Sequence, residues 1–334
     1  MTRRLFKAAL LFAAGALVVL VVAALLSWPD PVDWRPAPPA LEGDPDAWLA
    51  TRENAVPGDI VAGTGKRITW HDPATRERTP LAVVYLHGFS ASRQEIAPVP
   101  ERLAAALGAN LFETRLAGHG LEADGLAGVA AEDWLRDADE ALAVGGALGE
   151  RVLLLGTSTG ATLALARLAA GDAPGVAGLV MLSPNFAPAD PSADLLLEPG
   201  GPLLGRLLVG ETRAFEPLNE SQARYWTTRY PMSAVVEMMR LVRYVRDSLP
   251  LELDLPILVL MIREDRVIDV DRALDALSLI DSPVLRILAV TSDDPARHVP
   301  AGDVLAPAQT AITVTRIRGF VEDHVLGERR RDAL

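Results

Sequence analysis

Cysteine is absent from all 334 residues, and that one absence removes three kinds of chemistry together. There is no disulfide framework, no thiolate-bound metal and no thiol nucleophile. Positive charge is scarce as well, with 32 Lys+Arg against 44 Asp+Glu, and only Lys7 and Lys66 are lysines. Arg3, Arg4 and Lys7 sit at the extreme N-terminus, so residues 29–334 hold 29 basic and 44 acidic residues, a net charge of −15. A body that acidic repels a phosphate backbone, which argues against nucleic-acid binding. What the chain has in quantity is apolar side chains, half of all residues, on a length that suits one large domain with an ample core.

From Ala8 to Leu26 every residue is Ala, Leu, Val, Phe or Gly. As a helix that run would be about 28 Å long, close to the hydrocarbon thickness of a bilayer. Three basic residues precede it, while Trp28, Asp30, Asp33 and Trp34 follow. This pattern predicts a single-pass transmembrane anchor over residues 1–28, N-terminus in the cytoplasm and the body periplasmic or extracellular. A cleaved signal peptide, giving a secreted body, is the rival reading, with Val22-Ala23-Ala24 as its cleavage motif. Residues 29–58 are rich in Pro and are expected to form an extended linker.

Beyond the linker the pattern is that of an α/β protein. Apolar runs at 81–86, 109–112, 152–155, 176–182, 257–262 and 284–290 predict buried parallel strands. Helical stretches alternate with them: 92–107, opened by a Ser92/Glu95 capping box, then 132–148, 159–169 and 270–279. The alternation implies βαβ units in a doubly wound, mostly parallel sheet spanning 59–327, with 328–334 as a frayed tail. Between Leu182 and Pro256 the alternation stops. That interval predicts a helical cap inserted at 185–252, in which Val235, Met238, Met239, Val242 and Val245 form one stripe over 232–249, expected chiefly to pack on the main domain.

Gly156-Thr157-Ser158-Thr159-Gly160 lies between a predicted strand and a predicted helix, the setting in which a sharp turn lifts a serine above a sheet. A serine needs a base in reach and an acid to orient that base. Two histidines follow Ser158: His298 in a loop after the last strand, and His324 inside a terminal helical pattern, where it is expected to be a surface or packing residue. Asp265, just past the end of strand 257–262, is the expected acid, with Glu264 and Asp269 as fallbacks and Asp293 and Asp294 as solvated loop charges. Leu86-His87-Gly88-Phe89-Ser90 ends another strand and offers the Phe89 N–H, beside that of Thr159, to a developing oxyanion. His87 is expected to be structural, and the Ser90 hydroxyl to assist or to cap. The five histidines show no metal-ligand spacing, so neither metal nor cofactor is expected.

His87-Gly88-Phe89, Gly118-His119-Gly120, the Ser158 pentapeptide, Asp265 and His298 together resemble the α/β-hydrolase fold. The similarity is to the branch holding monoacylglycerol lipases, bacterial carboxylesterases and serine aminopeptidase-like hydrolases. Arg115-Leu-Ala-Gly-His-Gly120 with Asp133-Trp134-Leu135 and Asp137 looks like the carboxylesterase members. The resemblance implies an eight-stranded type of core, a lid after the sixth strand, Ser158 as nucleophile, Asp265 and His298 as its partners, Phe89 and Thr159 as oxyanion donors, and a structural His119. The expected function is hydrolysis of carboxylic esters, with a small-molecule or lipid acyl ester as partner. An aminopeptidase, amidase or acyltransferase on the same triad is the alternative, with Asp190, Asp194 and Glu198 as acids for an amine. A non-catalytic binding module is the third reading.

Overall fold

The computed structural model describes residues 6–7, 10–12, 14–15, 19, 21–22, 27–121 and 125–327. In chain order they form α1 (Pro45–Asn54), β1 (Arg67–Thr69), β2 (Ala82–Leu86), α2 (Val99–Leu107), β3 (Asn110–Glu113) and α3 (Ala131–Leu148). Then come β4 (Val152–Thr157), α4 (Thr159–Ala169), β5 (Val176–Leu182), α5 (Gly201–Val209), β6 (Thr212–Ala214), α6 (Glu220–Tyr225) and β7 (Arg229–Pro231). The chain continues with α7 (Met232–Asp247), β8 (Leu251–Glu252), β9 (Ile257–Ile262), α8 (Val270–Leu277), β10 (Ile280–Asp281), β11 (Leu285–Val290) and α9 (Thr310–Phe320).

Seven of these strands make the main sheet, in the order β1-β3-β2-β4-β5-β9-β11. Only β1 runs antiparallel. Successive side chains of a strand point to opposite faces, so a strand apolar at every position needs cover on both sides. That is how the core divides. Val84, Leu154, Met181 and Val259 pack under α3, α4, α7 and α8, whereas Val83, Leu153, Val180 and Leu258 pack under α2 and α9. The parallel strands end at one edge of the sheet, and the segments that follow β2, β4, β9 and β11 gather there.

Residues 183–250 interrupt the alternation with a short 3₁₀ turn (Pro191–Leu197), α5, the small antiparallel pair β6–β7, α6 and α7. The α7 stripe divides its work: Met239, Val242 and Val245 lie in the core, while Val235 and Met238 line a cavity. Residues 28–44 have no regular secondary structure, and they touch the body through Ala37 N–H to Asp139 (2.8 Å) and Arg240 to the Asp30 carbonyl (2.8 Å).

Several expectations are corrected. Spanning a bilayer takes roughly 20 residues of continuous apolar helix, and among the described residues no helix is long and apolar enough to cross a membrane. The rest of the anchor region and the tail 328–334 lie outside the described residues. The transmembrane helix, and the single-pass, exported or secreted localisation that depended on it, therefore lack support. The sheet has seven strands among the described residues, where eight were implied, so the inserted segment follows the fifth strand. β11 is parallel but lies at the sheet edge with Ile287 40% and Leu288 37% exposed, because nothing pairs beyond it among the described residues. The helix expected from Ser92 starts only at Val99, and Glu95 bonds elsewhere, to Gly88 and Tyr85.

Candidate active site

β4 ends in the turn that carries Ser158. Its φ of 51° and ψ of −119° are a strained combination for a residue with a Cβ, costing about 1–3 kcal/mol. Close packing enforces the turn: a Cβ on Gly160 would stand 2.1 Å from the Leu86 carbonyl oxygen and 2.6 Å from that of His87. With glycine there, α4 can start against the end of β2. The Ser158 N–H donates to the Leu182 carbonyl (2.8 Å), and its own carbonyl accepts from Ala161 and Thr162 in the first turn of α4 (3.0 and 3.1 Å). Ser158 is 7% exposed and opens into a cavity of about 860 Å³.

His298 borders the same cavity. Its Nδ1 lies 2.8 Å from Asp265 Oδ2, and the Asp265 side chain is fully buried. The other carboxyl oxygen of Asp265 accepts from Val267 N–H (2.8 Å) and Ile268 N–H (3.1 Å), which fixes the carboxylate in the turn after β9. Burial works to lower the His298 pKa, but the Asp265 hydrogen bond and the charges of Asp265, Glu95 and Asp294 outweigh it and raise it. The loop holding His298 is built on Asp294, whose Oδ2 accepts from the backbone of His298 (2.9 Å) and Val299 (3.0 Å) and whose Oδ1 accepts from Ala296 (3.0 Å).

Asp294 is thus no solvated charge; it is 2% exposed and organises the loop. Its four-residue spacing from His298, with Pro295 between, is a turn signature that the sequence does display. The fallback acids serve other ends, since Glu264 is exposed and Asp269 caps α8 by accepting from Arg272 N–H (3.1 Å).

Phe89 and Thr159 also line the cavity, and neither backbone N–H donates to a protein acceptor among the described residues. The neighbouring histidines hold the Phe89 loop. His87 Nε2 accepts from Leu116 N–H (3.1 Å) and its Nδ1 faces the Gly88 carbonyl (2.9 Å). His119 Nε2 accepts from Ser90 N–H (3.0 Å) while Nδ1 donates to the Ala117 carbonyl (3.0 Å). Burial drives His87 well below the usual imidazole value and His119 down to about 4, so both are neutral supports. Glu95, assigned from the sequence to a helix cap, instead lines the cavity, with its carboxyl bonded to Gly88 N–H. The bond joins residues seven apart, a spacing that no helix-cap pattern reveals.

The cavity extends under residues 189–235. Leu195, Leu208 and Leu218 line it while remaining more than half exposed, so its outer rim has an apolar part, beside the exposed charges of Asp190, Arg213, Glu216 and Arg266. Of the acids expected to receive an amine, Asp194 is paired with Arg246 (2.8 Å) and Arg272 (2.7 Å), and Glu198 with Arg243 (3.1 Å). Asp190 caps the 3₁₀ turn through Ser192 N–H (2.9 Å).

The fold has counterparts of known structure. One of the metagenome-derived lipolytic enzymes LipS and LipT superposes with a TM-score of 0.64 at 19% identity, over 80% of this chain and 100% of that one. A monoacylglycerol lipase from Paleococcus ferrophilus gives 0.55 at 15% identity, over 76% and 98%. A soluble variant of the monoglyceride lipase of Saccharomyces cerevisiae, solved with a substrate analogue, gives 0.56 at 12% identity, over 78% and 91%. At these identities the likeness establishes the fold. No curated protein matches the sequence. The model of the serine aminopeptidase family S33 matches residues 78–288, well over half of the chain, with Ser158 and Asp265 inside the match and His298 ten residues beyond it. The chain belongs to the serine aminopeptidase S33 family of α/β-hydrolases.

Proposed function

We infer that this hydrolase cleaves carboxylic esters of amphiphilic acyl substrates through an acyl-enzyme on Ser158. The observation that carries the reading is the convergence on one cavity of a strained-turn serine and a histidine whose Nδ1 meets a buried aspartate at 2.8 Å. His298 Nε2 takes the Ser158 proton as Oγ attacks the acyl carbon, then returns it to the leaving alcohol; a water repeats the sequence to release the acid. Asp265 keeps the proton on Nδ1 and supports the imidazolium. The Phe89 and Thr159 N–H groups receive the oxyanion, a contribution in which one lost donor costs on the order of 10² to 10³ in rate. Residues 185–252 act as a cap over the acyl-binding cavity.

The exposed leucines Leu195, Leu208 and Leu218 on the rim favour an acyl chain, and of the acids expected to receive an amine Asp194 and Glu198 are paired with arginines and Asp190, which lines the cavity, accepts from Ser192. Solved relatives described as lipolytic enzymes and monoacylglycerol lipases support the same reading. A panel of p-nitrophenyl esters of graded chain length, assayed beside amino-acid p-nitroanilides, tests it. Esters are expected to be cleaved with kcat/KM at least tenfold above every anilide; cleavage of anilides without esters would make the aminopeptidase reading the right one.

A further inference from the structure

Glu95 is an acid of the active centre that the triad does not use. It is 3% exposed, and its Oε2 accepts from the Gly88 N–H at 2.8 Å and from the Tyr85 hydroxyl at 2.9 Å. The second oxygen lies beside the serine. A Cβ built on Gly88 would stand 2.6 Å from Glu95 Oε1 and 3.3 Å from Ser158 Cβ, so those two atoms are at most 5.9 Å apart. Three sides of the site face this carboxyl. β2 contributes Tyr85, whose hydroxyl is also 3.2 Å from Thr157 Oγ1 on β4, and the loop after β11 contributes His298 and Asp294.

We propose that Glu95 is a positioning residue for the acyl transfer: its ionised carboxyl tethers the His87–Gly88 peptide and so anchors the loop that presents the Phe89 N–H to the oxyanion, and its charge supports the His298 imidazolium. The proposal rests on the reading of Ser158 and His298 as the reacting pair. The Gly88 N–H lies in the peptide unit before the one that carries the Phe89 N–H, so the tether anchors the loop at Gly88, while the Gly88 carbonyl, in the same unit as the Phe89 N–H, faces His87 Nδ1 at 2.9 Å. When Ser158 Oγ bonds to the acyl carbon its proton passes to His298, and a negative charge nearby lowers the cost of the cation formed. Protonating Glu95 weakens both effects. Burial pushes its carboxyl up to about 7, against the Gly88 and Tyr85 bonds and the His298 charge that hold it down, so protonation falls within the assayable range.

The test is the pH profile of kcat and KM on p-nitrophenyl butyrate for the full chain, for Glu95→Gln and for Tyr85→Phe, with a melting curve on each. Glu95→Gln removes the charge but keeps an acceptor for Gly88. It is expected to lower the alkaline plateau of kcat about tenfold with KM within about twofold, and to shift the acid limb to lower pH as His298 loses an anionic neighbour. Tyr85→Phe removes a bond to the ionised form, so its acid limb is expected to move to higher pH; it decides the matter alone if Glu95→Gln fails to melt cooperatively. A residue of purely structural importance would change stability and leave both limbs in place. Folded variants whose limbs superimpose on that of the unaltered protein overturn the proposal. Failure of the esterase reading looks different, because the unaltered protein would then leave the ester intact.

Discussion

Replacing Asp265 by Asn is the sharpest test of how the histidine is held. The two carboxyl oxygens have separate duties: Oδ2 faces His298 Nδ1 at 2.8 Å, and Oδ1 accepts from the Val267 and Ile268 N–H groups at 2.8 and 3.1 Å. An asparagine can accept at only one of these positions. If its NH₂ took the Oδ1 place it would confront two N–H donors, at about 1–3 kcal/mol for each buried donor left unpaired, or roughly 2–6 kcal/mol together. The amide is therefore expected to keep its oxygen there and turn its NH₂ to His298, which forces Nδ1 to accept and moves the ring proton to Nε2. That tautomer cannot take the serine proton. Since 1.4 kcal/mol is a factor of ten, the active tautomer falls by about 30-fold to 10⁴-fold, and kcat with it. The assay is p-nitrophenyl butyrate hydrolysis at pH 8, with urea unfolding as a check that the backbone, held independently by Asp294, is intact. A folded Asp265→Asn protein within threefold of the original kcat would refute the reasoning.

Three further outcomes follow from the geometry. Gly160→Ala puts a methyl group 2.1 Å from the Leu86 carbonyl oxygen, so it is expected to cost about 3 kcal/mol or more by urea unfolding and to abolish esterase activity. Leu208→Asp, on the apolar part of the rim, is expected to raise KM for long-chain esters several-fold and to leave acetate ester hydrolysis unchanged, as a chain-length series would reveal. His119 has a folded pKa lowered to about 4 from 6.5; its stabilising contribution is complete above pH 6.5 and is lost as the pH falls toward 4. The destabilisation caused by His119→Gln is consequently expected to be largest at pH 7 and to shrink by up to about 3 kcal/mol at pH 4, in denaturant titrations at a series of pH values.

The strand runs were legible because parallel strands covered on both faces must be apolar along their length, and residues 152–155 of Val152–Thr157 and all of Ile257–Ile262 satisfy that. β11 misled for the complementary reason: an apolar run does not say whether a strand has a neighbour on its outer side. The chain order Ser158, Asp265, His298 pointed to a serine and a histidine that border one cavity and to an aspartate that meets the histidine at 2.8 Å, since each follows a strand that ends at the same edge of the sheet. Glu95 was misassigned because its spacing from Ser92 favoured a helix cap, whereas its carboxyl meets the Gly88 N–H of the preceding loop; Asp294 was read as a solvated charge although its partners, the backbone groups of Ala296, His298 and Val299, lie within five residues. Hydropathy reports that the N-terminal run is apolar, while among the described residues no helix is long and apolar enough to cross a membrane.

The central claim, that Ser158 is the nucleophile, is tested most directly by mass spectrometry of the protein after reaction with a fluorophosphonate. A single adduct on the peptide containing Ser158, absent from Ser158→Ala, is the expected result. An unlabelled native protein, or a Ser158→Ala protein that still takes up the probe, would contradict it.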